Sequence, residues 1–253
     1  MYPPARYHWL TLTPLAIAIP VVAAGGAGLF SYSAVGPHSR FFGPVISALP
    51  EMPRPSLALT FDDGPNPAIT PRLLDLLDRQ NVRATFFVIG RFARQCPELI
   101  REIAARGHVL ANHTDSHPNL IWLGREAIAH QMQSCRGSVL DALEASASPL
   151  VTPDTMSLMR PPYGFRGPQL YSVVRSAGLR VVTWSRICFD WKPQPPQPLI
   201  ERLSHAAPGE IIVMHDGDHR FLNGDRSHVP AALEHWLPRW RDAGFDFVTI
   251  PAG

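Results

Sequence analysis

From residue 56 onward the chain switches repeatedly between two hydrophobic periods. Short runs rich in β-branched and aromatic residues fall near 57–61, 83–89, 108–111, 157–160, 180–185, 211–214 and 246–250, and their length and composition predict strands. Between most of them lie segments with apolar residues at helical spacing: 71–80, 97–106, 125–145, 167–177, 198–206 and 230–243. The first has Thr70 in position to cap the helix and Pro71 at its first turn. Strand followed by helix, repeated about seven times, predicts parallel strands joined by crossover helices. The expected architecture is a closed or nearly closed, distorted (β/α) barrel of about seven parallel strands, with an open doubly wound sheet as the second choice.

The first part of the chain has a different pattern. Trp9 to Val35 carries no charged residue, and such a run exceeds the ~20 residues a helix needs to cross a bilayer. A cleavable signal has a shorter apolar core of about 7–15 residues. The segment therefore predicts an N-terminal hydrophobic helix that anchors the chain in a membrane, or else a signal removed on export; both place the remainder outside the cytoplasm. Residues 36–55 are spaced by prolines and read as a linker. The expected domains are 1–40, membrane segment and start of the linker; 41–56, linker; and 57–253, the folded domain.

Charge narrows the partners. The 253 residues hold 23 Lys plus Arg against 21 Asp plus Glu, without a basic block, so nothing points to a nucleic acid. A neutral substrate and a monomer are expected. Three cysteines, Cys96, Cys135 and Cys188, are widely separated and have no Cys-x-x-Cys spacing, which disfavours a zinc knuckle or a disulfide framework.

On the barrel reading, the reactive residues follow successive strands: Asp62 and Asp63 the first, His113 the third, Arg160 the fourth, Asp190 the fifth and His215 the sixth. Loops after parallel strands share one face. Adjacent carboxylates repel unless a cation stands nearby. His113 and His117 have an i, i+4 spacing that on a helical turn would aim both imidazoles at one point. Two nitrogens and a carboxylate oxygen are a recognised donor set for one divalent metal ion, zinc first, with cobalt, manganese or nickel as alternatives. One aspartate can hold the ion while its neighbour takes a proton from a water that the ion acidifies. His108, His130, His205 and His235 lack convergent partners and are read as ordinary core or surface residues. Arg160 can pin a carboxylate, the amide of Tyr163 can stabilise an oxyanion, and Trp191 offers a face for a sugar ring. His215 ends a buried strand and has the right intrinsic pKa for a general acid.

In this order, "TFDDGP", "HTDSH", "RPPYG", "FDW" and "IIVMH" resemble the five successive motifs of the polysaccharide deacetylases with NodB homology, carbohydrate esterase family 4. The resemblance spans roughly Leu57 to Ile250. It implies Asp62 as catalytic base, Asp63, His113 and His117 as metal ligands, and Arg160 as the residue that orients the base. It further implies the Tyr163 amide as oxyanion donor, Asp190 as the tethering acid, Trp191 as a groove residue and His215 as general acid. The implied activity is removal of N-acetyl groups from a polysaccharide or oligosaccharide containing N-acetylglucosamine. O-acetyl esterase activity or a non-catalytic carbohydrate-binding role are the alternatives. One position departs from the pattern: Ile187 stands where the fourth motif commonly has an acid.

Overall fold

The computed structural model describes residues 32–145 and 155–251. The elements are β1 (Ser56–Asp62), α1 (Thr70–Arg79), β2 (Thr85–Val88), α2 (Gly90–Gln95), α3 (Pro97–Ala105), β3 (Val109–Asn112) and α4 (Arg125–Glu144). They continue with β4 (Leu158–Met159), α5 (Pro168–Ser176), β5 (Arg180–Val181), β6 (Arg186–Ile187), α6 (Pro196–Leu203), β7 (Ile211–His215), α7 (His228–Asp242) and β8 (Asp246–Phe247). Seven strands run in the order β5-β4-β3-β2-β1-β7-β6, with β8 on β1. Every pairing is parallel. The result is an α/β barrel, distorted and open between β5 and β6.

Alternation along each strand sorts the side chains. Leu57, Leu59 and Phe61 of β1 join the large cluster that also holds Leu73, Leu77, Leu233 and Leu237 of the helices. Ala58 of the same strand packs instead with Phe87, Ala111, Leu158 and Ile211. Thr60 and Asp62 continue this second row toward the C-terminal ends of the strands. The helices form for equally local reasons. In α1 the buried residues Thr70, Leu73, Leu74, Leu76 and Leu77 recur at helical spacing behind Pro71.

Three features differ from the sequence expectation. Thr70 does not cap α1: its hydroxyl donates to Asp216 Oδ2 at 2.5 Å, and Ile69 occupies the cap position without a side-chain bond. The apolar stretch 180–185 is not one strand. Its first two residues pair with β4, and the chain then crosses the open seam to pair with β7 as β6.

The third difference is the stretch 36–55, expected as a linker, which lies against the barrel. Ile46 bridges Val182 and Ala48 bridges Glu210, so this strap spans the seam, with Val45 and Leu49 buried. Arg166, wholly buried, donates its guanidinium to the carbonyls of Gly36 and Ser39, and Thr183 Oγ1 donates to the Pro37 carbonyl at 2.7 Å. The N-terminal apolar segment falls outside the described residues except for 32–35, a short helical stretch in which Ser33 and Ala34 are buried. Among the described residues no helix is long and apolar enough to cross a membrane. All three cysteines are buried and unpaired.

Candidate active site

The two adjacent aspartates are separated by a change of backbone. Asp62 is the last residue of β1 and stands in register with His215 of β7. Asp63 steps off the strand into the left-handed region at φ 70°, which Asp tolerates better than most residues. A β-carbon at Gly217 would collide with the Asp63 carbonyl, so only glycine lets the loop after β7 pass this close. The two carboxylates thereby face different neighbours.

Asp62 Oδ1 accepts from Arg160 at 2.6 Å, while Oδ2 lies 3.9 Å from His113 Nε2. Arg160 is fully buried. It also donates to Thr60 Oγ1 and to the Thr183 carbonyl, each at 2.8 Å, and its guanidinium lies 4.1 Å from the centroid of the Phe87 ring. Burial lowers the Arg160 pKa, and Asp62 opposes that shift. A buried cation held by its anion and by neutral acceptors keeps Asp62 Oδ1 occupied, which leaves Oδ2 as the oxygen free to take a proton.

His113 and His117 converge, but not through a helix. Residues 113–119 form a loop with left-handed Thr114 and His117, at φ 68° and 61°. Asn112 Oδ1 accepts from the Thr114 amide at 2.9 Å, and Thr114 Oγ1 accepts from the His117 amide at 3.1 Å. Arg94 clamps Asp115 with two bonds of 2.7 and 3.1 Å. His113 Nδ1 pairs with the Arg160 carbonyl at 2.8 Å, which fixes its Nε2 as the atom presented to Asp63. Burial lowers the His117 pKa to about 3, with the neighbouring imidazoles adding to the shift and Asp63 opposing it. His117 is therefore neutral, the form that can ligate a cation.

Asp63 Oδ1 lies 3.5 Å from His113 Nε2 and 3.3 Å from His117 Nε2. It is buried without a hydrogen-bond partner. Burial would raise the Asp63 pKa, but the imidazoles around it hold the carboxyl well below the usual range. Donors bound tetrahedrally at roughly 2.0–2.1 Å from one ion stand about 3.4 Å apart. Asp63 Oδ1 stands at about that separation from each of the two imidazoles, and among the described residues the donor atoms lying mutually within 4.8 Å are those of Asp63, His117 and His219.

Behind His215, Asp190 is wholly buried and uses both oxygens on that one residue. Oδ2 accepts from the His215 amide at 2.7 Å, and Oδ1 meets His215 Nδ1 at 2.9 Å. Burial works against a charged imidazole, but Asp190, with Asp63 and Asp62 beyond it, raises the His215 pKa to about 9. Nε2 is the nitrogen not committed to Asp190. Trp191 packs edge-on to His215, and Tyr163, at φ 60°, packs edge-on to His117 at 4.6 Å.

These residues share a cavity of about 470 Å³ lined by Asp62, Asp63, His113, His117, Tyr163 and His215, with Trp191 and Ile187 on its wall. All nine residues expected from the sequence thus come together, Arg160 and Asp190 directly behind the lining. A more open groove of about 510 Å³, bordered by Arg91 and Phe221, contains no comparable acid and base.

Sequence reasoning missed three contributors. Asp216 is buried, and its pKa is pushed up to about 7 by burial and the nearby aspartates against the Thr70 hydrogen bond. Trp184 joins the cavity wall. His219 approaches Asp63 Oδ2 at 3.6 Å, and its signal was visible: "HDGDH" repeats the spacing of "HTDSH".

The polysaccharide deacetylase family profile matches residues 50–182. This chain belongs to the polysaccharide deacetylase family. Its sequence is 38% identical over 204 residues to the chitooligosaccharide deacetylase of Sinorhizobium fredii, covering 78% of this chain and 91% of that protein. The deacetylase fold agrees with solved relatives. A peptidoglycan N-acetylglucosamine deacetylase in complex with an N-oxidanyl-benzamide superposes with TM-score 0.72 at 30% identity, covering 82% of this chain and 91% of the other. A family 4 carbohydrate esterase from Streptomyces lividans in complex with acetate gives 0.67 at 28% identity, covering 78% and 93%.

Proposed function

We propose that this protein hydrolyses the N-acetyl group of N-acetylglucosamine units in a chitin-like or cell-wall polysaccharide or oligosaccharide, and that it depends on one divalent metal ion. The observation that carries the reading is the opposition, within one cavity, of a carboxylate with one free oxygen (Asp62, pinned by Arg160) to an imidazolium (His215, held by Asp190). The relatives' activities on chitooligosaccharide and peptidoglycan support it.

When bound by Asp63, His113 and His117, the ion would polarise the acetyl carbonyl and acidify a water. Asp62 Oδ2 takes the proton of the attacking water, while Arg160 holds Oδ1 in place. The amide of Tyr163 would donate to the oxyanion as charge builds on the carbonyl oxygen. As the C–N bond breaks, His215 Nε2 gives its proton to the departing amine, and Asp190 holds the ring so that the proton leaves from that atom. The products are acetate and a free sugar amine. Trp191 and Tyr163, both partly exposed at the mouth, supply the faces on which a sugar ring can stack.

The N-terminal apolar run supports a place for this chemistry outside the cytoplasm, by an anchor or by secretion. Mass spectrometry of the mature N-terminus distinguishes the two. The activity is tested by acetate release from chitooligosaccharide, peptidoglycan and acetylxylan by the full-length chain with added zinc, cobalt or manganese. Release from the first two and not from acetylxylan supports the reading; release from acetylxylan alone replaces it with an O-acetyl esterase. Asp62→Asn should abolish release while keeping the metal, and Asp63→Asn should lose both. The reverse pattern would exchange the two roles.

A further inference from the structure

We propose that His219 is a fourth protein donor to the cation held by Asp63, His113 and His117, an inference that rests on the metal reading above. His219 Nδ1 lies 3.6 Å from Asp63 Oδ2. The ring lies against His117 with centroids 4.3 Å apart and planes 20° apart, so binding requires one of the two rings to turn until both in-plane lone pairs meet at the ion. The donor atoms of Asp63, His117 and His219 all lie within 4.8 Å of one another. A hydrogen bond from Nδ1 to the carboxylate would be about 2.7–3.2 Å long. The observed separation is too long for that and close to the donor spacing around a shared ion.

The loop that carries His219 is fixed. Gly217 passes over the Asp63 carbonyl. Asp218 accepts from the backbone and side chain of Arg220 and from buried Arg226, at 2.9–3.1 Å. Arg226 also donates to the Trp191 carbonyl at 2.7 Å, and Arg91 donates to the carbonyl of His219 itself. The Asn66 side chain holds the Gly224 carbonyl at 2.8 Å. The side chain of His219 is only 32% exposed, so the imidazole is presented to the cluster rather than left in solvent.

Three imidazoles and one carboxylate form a donor set suited to zinc, cobalt or nickel over manganese or magnesium. With four protein donors, the ion must be five-coordinate or higher to take water or substrate as well. His219 would thus set both how tightly the ion is held and how many positions remain open.

The test uses the full-length chain, stripped with chelator and reloaded with Co(II). The visible ligand-field spectrum and the hyperfine-shifted imidazole N–H resonances are recorded for the wild type, His219→Ala, His219→Gln and His117→Ala, and affinity is measured by competition with a chromophoric chelator. His219→Ala and His219→Gln should each change the spectrum, remove one imidazole's signals and weaken binding about 10-fold or more. They should also narrow the preference for cobalt over manganese. An unchanged spectrum in both variants, with or without a loss of affinity, overturns the proposal, because His219 then acts from outside the coordination shell. The control separates the two readings: Co(II) signals that survive His117→Ala unchanged would overturn the metal assignment itself.

Discussion

The loops after β3 and β7 carry the same spacing of histidines, 113 to 117 and 215 to 219, and the first histidine of each is backed by a different kind of acceptor. His113 Nδ1 meets a backbone carbonyl, that of Arg160. His215 Nδ1 meets a buried carboxylate, that of Asp190. A carbonyl fixes a tautomer without adding charge, so His113 can offer a lone pair. A carboxylate stabilises the protonated ring, so His215 can offer a proton. On the mechanism proposed above, the difference between ligand and acid would be made by the atom behind the ring, not by the spacing in the chain.

The largest expected effect comes from the first loop. His117→Ala should reduce bound metal to background by elemental analysis and turnover to the uncatalysed level, because it removes a donor from a cluster built around one carboxylate oxygen. In the second loop, His215→Ala should keep its metal. It should lose about 10²- to 10⁴-fold in turnover on an N-acetyl substrate, with a smaller loss on an aryl acetate, whose leaving group needs little protonation. Equal metal loss in both variants would erase the distinction between the loops.

A finer test alters only the partner. His215 can act as acid only while protonated, and its pKa of about 9 places the alkaline limb of the pH–rate profile there. Asp190→Asn removes the charge that raises that pKa. The acid form is then lost at lower pH, so the limb should move from about 9 toward the ordinary 6.5. A limb that stays in place would mean that another group sets it. Linkage gives the matching stability effect: a pKa raised on folding stabilises the native state fully below about 6.5 and progressively less as pH rises through 9. Thermal melts should show that decline in the wild type and a weaker one in Asp190→Asn.

The smallest effect contrasts both loops with the strap. Deleting residues 1–40 leaves Arg166 buried without the Gly36 and Ser39 carbonyls. An unsatisfied buried donor costs about 1–3 kcal/mol, more when charged. For a domain of this size that corresponds to a fall of roughly 3–10 °C in Tm. The shorter protein should still show the metal and pH behaviour of both loops, measured below its lowered Tm.

How much of this was legible in the sequence follows the range of the physics involved. Strand and helix periods are local, and the elements around β1, β2, β3, α4 and β7 stand where the pattern put them. The ordered motifs named nine residues that the fold gathers at or directly behind one cavity. The split of 180–187 into two strands was not visible, because the apolar run is continuous and only the opening of the barrel divides it. The helical turn expected at His113–His117 was replaced by a loop, since the left-handed residues that close it depend on the side chains of Asn112 and Thr114 bonding back to the chain. The docking of residues 36–50 was hidden for a similar reason: proline spacing describes a stiff segment but not what it leans on.

The strap also determines reach. Twenty flexible residues would let a tethered domain wander on the order of 25 Å from its point of attachment. Here the chain is already bonded to the barrel from Ala34 onward, where the Ala34 carbonyl accepts from the Arg166 amide at 2.9 Å. Residues 34–55 therefore add no free length to a tether. On the anchored reading proposed above, the domain would meet a polymer at one height and not sweep a volume in search of it.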